Sequence, residues 1–160
     1  MVKILFVCLG NICRSAAAEA VMKDLVSKRG LDDQIFIDSA GIIGVHQGER
    51  ADARMRRHAE ARGIDVTSIS RQVRISDFDE FDYIIGMDNT NIDDLKDRAM
   101  TIEHEQKIHK MTEFCRKYDN DYVPDPYYGG AAGFELVLDL LDDSCEGLLD
   151  YLIKEDKIRG

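Results

Sequence analysis

Eight consecutive residues, Cys8-Leu9-Gly10-Asn11-Ile12-Cys13-Arg14-Ser15, place a nucleophile, a possible turn and a cation within one short stretch near the start of the chain. The apolar run Ile4–Val7 ends at the cysteine, and a helical pattern opens at Arg14-Ser15. The first N–H groups of a helix have no partner within it, and its dipole favours negative charge there. A loop curling into that end can turn its own N–H groups inward and form a cradle for an oxyanion. Gly10 allows close backbone approach, and Asn11 is the non-glycine residue type that best tolerates a left-handed curl. Arg14 adds a planar fork matched to two phosphate oxygens. Cys8 would face this cradle, where N–H dipoles and an arginine favour the thiolate, and Ser15 is placed to donate a hydrogen bond to it. A nucleophile beside an oxyanion site suggests phosphoryl transfer to sulfur. The stretch also reads as an ordinary strand-to-helix turn in which Cys8 packs as a small hydrophobe.

A thiolate attacking phosphorus needs a proton delivered to the leaving oxygen. Asp125 is the candidate donor. It lies between Pro124 and Pro126, the only prolines in the chain, and both stiffen the backbone around it. Tyr127 and Tyr128 follow, and could wall a slot for an aromatic substrate. The competing interpretation is a solvated turn with two tyrosines packed at its edge.

The elements that must position these residues follow from apolar patterning. Lys3–Val7 reads as a strand covered on both faces, and Ser15–Arg29 as a helix with a stripe of Ala17, Val21 and Leu25 beside Ala18, Met22 and Val26, closed by Gly30. Gln34–Asp38 reads as a second strand, Ala51–Arg62 as a helix stopped by Gly63, Asp82–Met87 as a third strand, and Asn89–Arg98 as a helix. Lys107–Met111 is a weaker strand, and Gly133–Lys154 a long closing helix. Strands alternating with helices imply an α/β fold with a parallel sheet between helical layers. Ligands in such sheets bind beyond the carboxyl ends of the strands, where Cys8 and Asp88 both fall.

The 160 residues suit one domain, 1–160, with one core. No signal peptide pattern and no apolar stretch of membrane-spanning length is visible, so a soluble, cytoplasmic protein without membrane insertion is expected. Cys8, Cys13, Cys115 and Cys145 are expected to be reduced, and with His46, His58, His104 and His109 they show no zinc-site spacing, so no metal is expected. The net charge of -10 argues against nucleic-acid partners. That charge is uneven: residues 1–75 carry 12 Lys+Arg and 9 Asp+Glu, against 9 and 22 in residues 76–160. The excess of positive charge lies in the half that holds Arg14, as an anionic ligand there would favour, though a solvated acidic second half explains the same imbalance.

Taken together, Cys8–Ser15 and Asp125-Pro126-Tyr127-Tyr128 resemble the low-molecular-weight protein tyrosine phosphatases. Asp38-Ser39-Ala40, Arg71-Gln72 and Phe81-Asp82-Tyr83-Ile84 leading to Met87-Asp88 fall where that family has similar segments, so the resemblance spans essentially the whole chain. It implies a four-stranded parallel sheet in an α/β/α sandwich and a two-step hydrolysis of phosphotyrosine proteins, peptides and small aryl phosphates, without metal or cofactor. Cys8 would attack phosphorus while Asp125 protonates the phenolic oxygen, and water would then release phosphate with Asp125 as base. Arg14 and the loop N–H groups would hold the phosphate oxygens, and inorganic phosphate and similar oxyanions would inhibit. Asn11, Ser15 and Ser39 match residues that support the loop. Ile12, Val45, His46, Asp88, Tyr127 and Tyr128 match the substrate pocket, and Cys13 matches a cysteine that can pair reversibly with the nucleophile.

The chain departs from the family pattern twice. Ser68 stands where a histidine often supports the loop, and Val45 where an aromatic residue often walls the slot. Relatives on the same scaffold reduce arsenate, but with cysteines near the third strand that residues 80–100 lack. Others hydrolyse phosphoarginine and tend to carry threonine at the position of Ile12.

Overall fold

A computed structural model describes all 160 residues. Four parallel strands form one sheet in the order β2-β1-β3-β4, where β1 is Val2–Cys8, β2 Ile35–Gly41, β3 Tyr83–Gly86 and β4 Ile108–Lys110. The helices are α1 (Arg14–Lys28), α2 (Ala53–Glu60), α3 (Asp77–Glu80), α4 (Asn89–Arg98), α5 (Ile102–Gln106) and α6 (Ala131–Lys154), with a short 3-10 helix at Met111–Phe114. The α/β/α expectation holds.

Strand β1 is central, and Ile4 through Cys8 are all buried, as a near-continuous apolar run requires. Alternation along the strand divides the core. Ile4, Phe6 and Cys8 join the larger apolar cluster with α1, α2 and α6, while Leu5 and Val7 join Phe78, Phe81, Ile84 and Leu95 on the other face. The chain leaves β1 for β2 on one side and later returns to β3 on the other. That divergence opens a crevice at the carboxyl end of β1, where Cys8 lies.

Several boundaries move by a few residues, and three short elements go beyond the expected set. Helices α3 and α5 and the 3-10 helix span 4, 5 and 4 residues, too few to show an apolar period. Gly30 and Gly63 stand just past α1 and α2 with φ of 68° and 80°, the left-handed geometry expected where each helix stops. Gly147 answers a different need. A Cβ there would lie 1.8 Å from the carbonyl oxygen of Phe114, so only glycine lets α6 pass the 3-10 helix.

Candidate active site

The loop from Leu9 to Cys13 turns through Asn11, which has φ of 59° and is 1% exposed. A buried residue in the left-handed region needs compensation, and the Asn11 side chain supplies it. Its Nδ2 donates to Ser15 Oγ (2.8 Å) and Ser39 Oγ (3.0 Å), and its Oδ1 accepts from the N–H of Arg71 (3.1 Å). Ser70 Oγ donates to the carbonyl of Gly10 (3.0 Å), and the N–H of Asp52 donates to that of Ile12 (2.8 Å). The loop is thus tied to β2, to the segment before α3 and to the start of α2.

Cys8 Sγ lies 3.0 Å from Ser15 Oγ, within the first turn of α1. No side chain caps that helix end, so its first N–H groups are available to an anion. Arg14, 3% exposed, donates from Nη1 to Asp88 Oδ2 (2.6 Å) and to the carbonyl of Val123 (3.1 Å). Burial works against the guanidinium's charge, but Cys8, Asp88 and Asp125 outweigh it and hold Arg14 above its ordinary pKa. Asp125 reaches the same place from the far end of the chain. Its Oδ2 is 3.7 Å from Arg14 Nη2, and its Oδ1 accepts from the N–H of Tyr127 (3.0 Å).

Between these groups lies an open cavity of about 220 Å³. Cys8, Leu9, Gly10, Ile12, Cys13 and Arg14 form its floor, and Ile43, Val45, His46, Asp125, Tyr127 and Tyr128 its walls. Val45 is 68% exposed and Tyr128 93% exposed, so the rim on those sides stands open to solvent. The His46 ring lies 6.5 Å from that of Tyr127, and its Nδ1 is 3.0 Å from Glu49. Asp88 does not line the cavity as the pocket assignment expected. It sits behind Arg14, and its other oxygen caps α4 by accepting from the N–H of Asn91 (2.8 Å). All four cysteines are free thiols, and the Cys13 thiol is pushed up in pKa by burial, Asp52 and Cys8. The Ser68 hydroxyl is buried without a hydrogen-bond partner, so the loop's support comes from Ser70 and Arg71 instead.

The model of the family described as low molecular weight phosphotyrosine protein phosphatase matches residues 3–158. The chain belongs to that family. It is 44% identical over 153 residues to a putative low molecular weight protein-tyrosine-phosphatase of Synechocystis, covering 96% of this chain and 98% of the relative. Among solved structures, a protein tyrosine phosphatase from Entamoeba histolytica, with Hepes in its active site, superposes with a TM-score of 0.94 at 50% identity, covering 99% of this chain and 100% of the other. A Drosophila arginine phosphatase superposes at 0.87 with 35% identity, covering 93% and 96%. As a low molecular weight phosphatase, the chain is a phosphoric monoester hydrolase, and no helix in it is long and apolar enough to cross a membrane.

Sequence reasoning passed over three contributors to this site. Arg54 pairs with Asp52 (3.0 Å), donates to the carbonyl of Tyr127 (2.9 Å) and lies 5.4 Å over the Tyr127 ring. Ser70 and Glu19 were the others. Ser39 Oγ donates to Glu19 Oε1 (2.7 Å). Glu19 had a readable signal: it is the one charged residue between Ser15 and Met22, four positions after Ser15 and therefore on the same helix face.

Proposed function

We propose that this phosphatase hydrolyses phosphotyrosine in proteins and peptides, and small aryl phosphates, through a cysteinyl-phosphate intermediate. The observation that supports this reading is that Cys8, Arg14 and Asp125 line one cavity, with Arg14 Nη2 3.7 Å from Asp125 Oδ2. The phosphate would seat on the loop N–H groups and the Arg14 guanidinium, with Cys8 Sγ in line behind phosphorus. As the S–P bond forms and the P–O bond breaks, Asp125 gives its proton to the phenolic oxygen. The same carboxylate then takes a proton from water, which attacks phosphorus and releases inorganic phosphate and the thiolate. Inorganic phosphate and other oxyanions should therefore compete with substrate. The apolar Ile12 and Val45 and the Tyr127 ring, all lining the cavity, favour an aryl ring over a guanidino group.

The test is hydrolysis of p-nitrophenyl phosphate by wild type, Cys8→Ser and Asp125→Ala. Near-complete loss is expected for Cys8→Ser. Asp125→Ala should lose roughly 10²–10⁴-fold, with the larger losses on the poorer leaving groups. Full activity in Cys8→Ser would overturn the mechanism, and faster turnover of phosphoarginine than of phosphotyrosine would overturn the substrate class.

A further inference from the structure

A chain of hydrogen bonds leads from the nucleophile to the protein surface on the side away from the cavity. Cys8 Sγ is 3.0 Å from Ser15 Oγ, which accepts from Asn11 Nδ2 at 2.8 Å. Asn11 Nδ2 also donates to Ser39 Oγ at 3.0 Å, and Ser39 Oγ donates to Glu19 Oε1 at 2.7 Å. Glu19 Oε2 accepts from Lys23 Nζ at 2.6 Å, and that side chain is 51% exposed. The direction of the links from Asn11 is fixed. The N–H of Arg71 on Asn11 Oδ1 sets which way the amide faces, so Nδ2 must be the donor to both serines. Ser15 then accepts from Asn11 and has its own hydrogen for Cys8 at 3.0 Å, which is nearer than its other acceptor, the Ala40 carbonyl at 3.5 Å. Glu19 takes the Ser39 hydrogen, leaving the Ser39 oxygen free to hold Asn11.

Glu19 is 5% exposed, and a carboxylate buried this deeply is costly unless it is paired. The other charged groups nearby are engaged elsewhere or lie further out. Asp38, next to Ser39, pairs with Arg71 (3.1 Å), and Asp24 pairs with Lys28 (2.8 Å). Asp65 lines the same recess as Glu19 and Lys23 from the segment after α2, and adds negative charge. Lys23 is the cation that Glu19 has.

We propose that Lys23, which does not line the substrate cavity, is a positioning residue for the nucleophile, acting through Glu19, Ser39 and Asn11. With the ammonium present, the buried carboxylate is neutralised and the hydrogen-bond order ends on a Ser15 hydrogen directed at the thiolate. Without it, one of two things follows. Glu19 stays charged and opposes a second anion in the same network, or it takes up a proton and releases Ser39. Both disfavour the thiolate. The titratable groups that line the cavity with Cys8, namely Cys13, Arg14, His46, Asp125, Tyr127 and Tyr128, are untouched by the change.

This inference rests on Cys8 being the nucleophile, yet it can be tested without turnover. Alkylation of Cys8 by iodoacetamide, located by mass spectrometry and followed against pH, reads the thiolate directly. Lys23→Met is expected to move the midpoint up by about half a pH unit, a fall of about threefold in alkylation rate below it. The kcat/KM for p-nitrophenyl phosphate should fall in parallel and recover as the pH is raised, and Lys23→Arg should restore both. In a Glu19→Gln background, which keeps an acceptor for Ser39 but carries no charge to neutralise, Lys23→Met should have no effect. A wild-type alkylation profile in Lys23→Met, or a shift that persists undiminished in the Glu19→Gln background, would overturn the proposal. Failure of the phosphatase reading would show separately, as an enzyme whose Cys8→Ser variant retains activity.

Discussion

At Arg14 two carboxylates compete for one guanidinium, and their distances separate their roles. Asp88 is bonded at 2.6 Å, while Asp125 stands off at 3.7 Å with its side chain 40% exposed. The first holds the fork, and the second keeps the exposure that the proposed proton donor needs. Asp88→Asn isolates the orienting role, because asparagine still offers an oxygen to cap α4 but no charge to Arg14. Its kcat/KM for p-nitrophenyl phosphate is expected to fall about tenfold, a loss typical of a charge-assisted hydrogen bond, with the melting temperature nearly unchanged. Steady-state kinetics beside thermal melting check this, and unaltered kinetics would refute the orienting role. Cys8, Arg14 and Asp125 were legible because their types are matched to a reaction and their neighbours are unusual. The role of Asp88 was not: an aspartate after a strand reads equally as a pocket residue or a helix cap, and only the fold shows Arg14 beside it.

Among the elements, long ones announced themselves and short ones did not. Helix α4 has the bounds its pattern implied, whereas β4 is only three residues long and owes its place to pairing with β3. The apolar stripe of α1 understated its burial. Every residue from Cys13 to Met22 is buried, which four alanines permit by letting the sheet and α6 approach closely. Helix α6 also anchors the irregular stretch that leads toward Asp125. Asp143 Oδ2 accepts from the N–H groups of Arg116 (3.0 Å), Lys117 (2.9 Å) and Tyr118 (3.1 Å). Burial would raise its pKa, but these bonds prevail and hold it below the usual carboxylate range. A carboxylate lowered in the folded state stabilises fully above its unfolded pKa, and loses that contribution as the pH falls through the folded value. Asp143→Asn should therefore cost about 2 kcal/mol near neutrality, in the range of hydrogen bonds to a charged group. The gap to wild type should close on acidification. Urea denaturation across pH measures both, and a gap independent of pH would contradict the assignment.

The whole molecule carries a net charge of -10, yet its cavity is built mainly from the first 75 residues, where basic side chains outnumber acidic ones. The local arrangement, not the overall charge, decides what binds. An anion seated there would join β1 and α1 to the segment at 123–128, and so should stabilise the entire fold. Inorganic phosphate at a hundred times its Kd should add about 2.7 kcal/mol, visible as a rise in melting temperature, and Arg14→Lys should abolish most of the rise. An equal rise in that variant would mean that phosphate binds elsewhere.

Cys8 and Asp125 are more than a hundred positions apart, and α6, which follows Asp125, packs against α1, which follows Cys8. During synthesis Cys8 emerges early, and Asp125, its proton donor in the proposed mechanism, emerges late. A growing chain can therefore expose Cys8 well before Asp125 and α6 exist, and the loop around it sets as its later partners Ser39, Asp52, Ser70 and Arg71 arrive. Under the proposed mechanism, the cavity holds both its nucleophile and its proton donor only once residues 123–128 have joined β1 and α1.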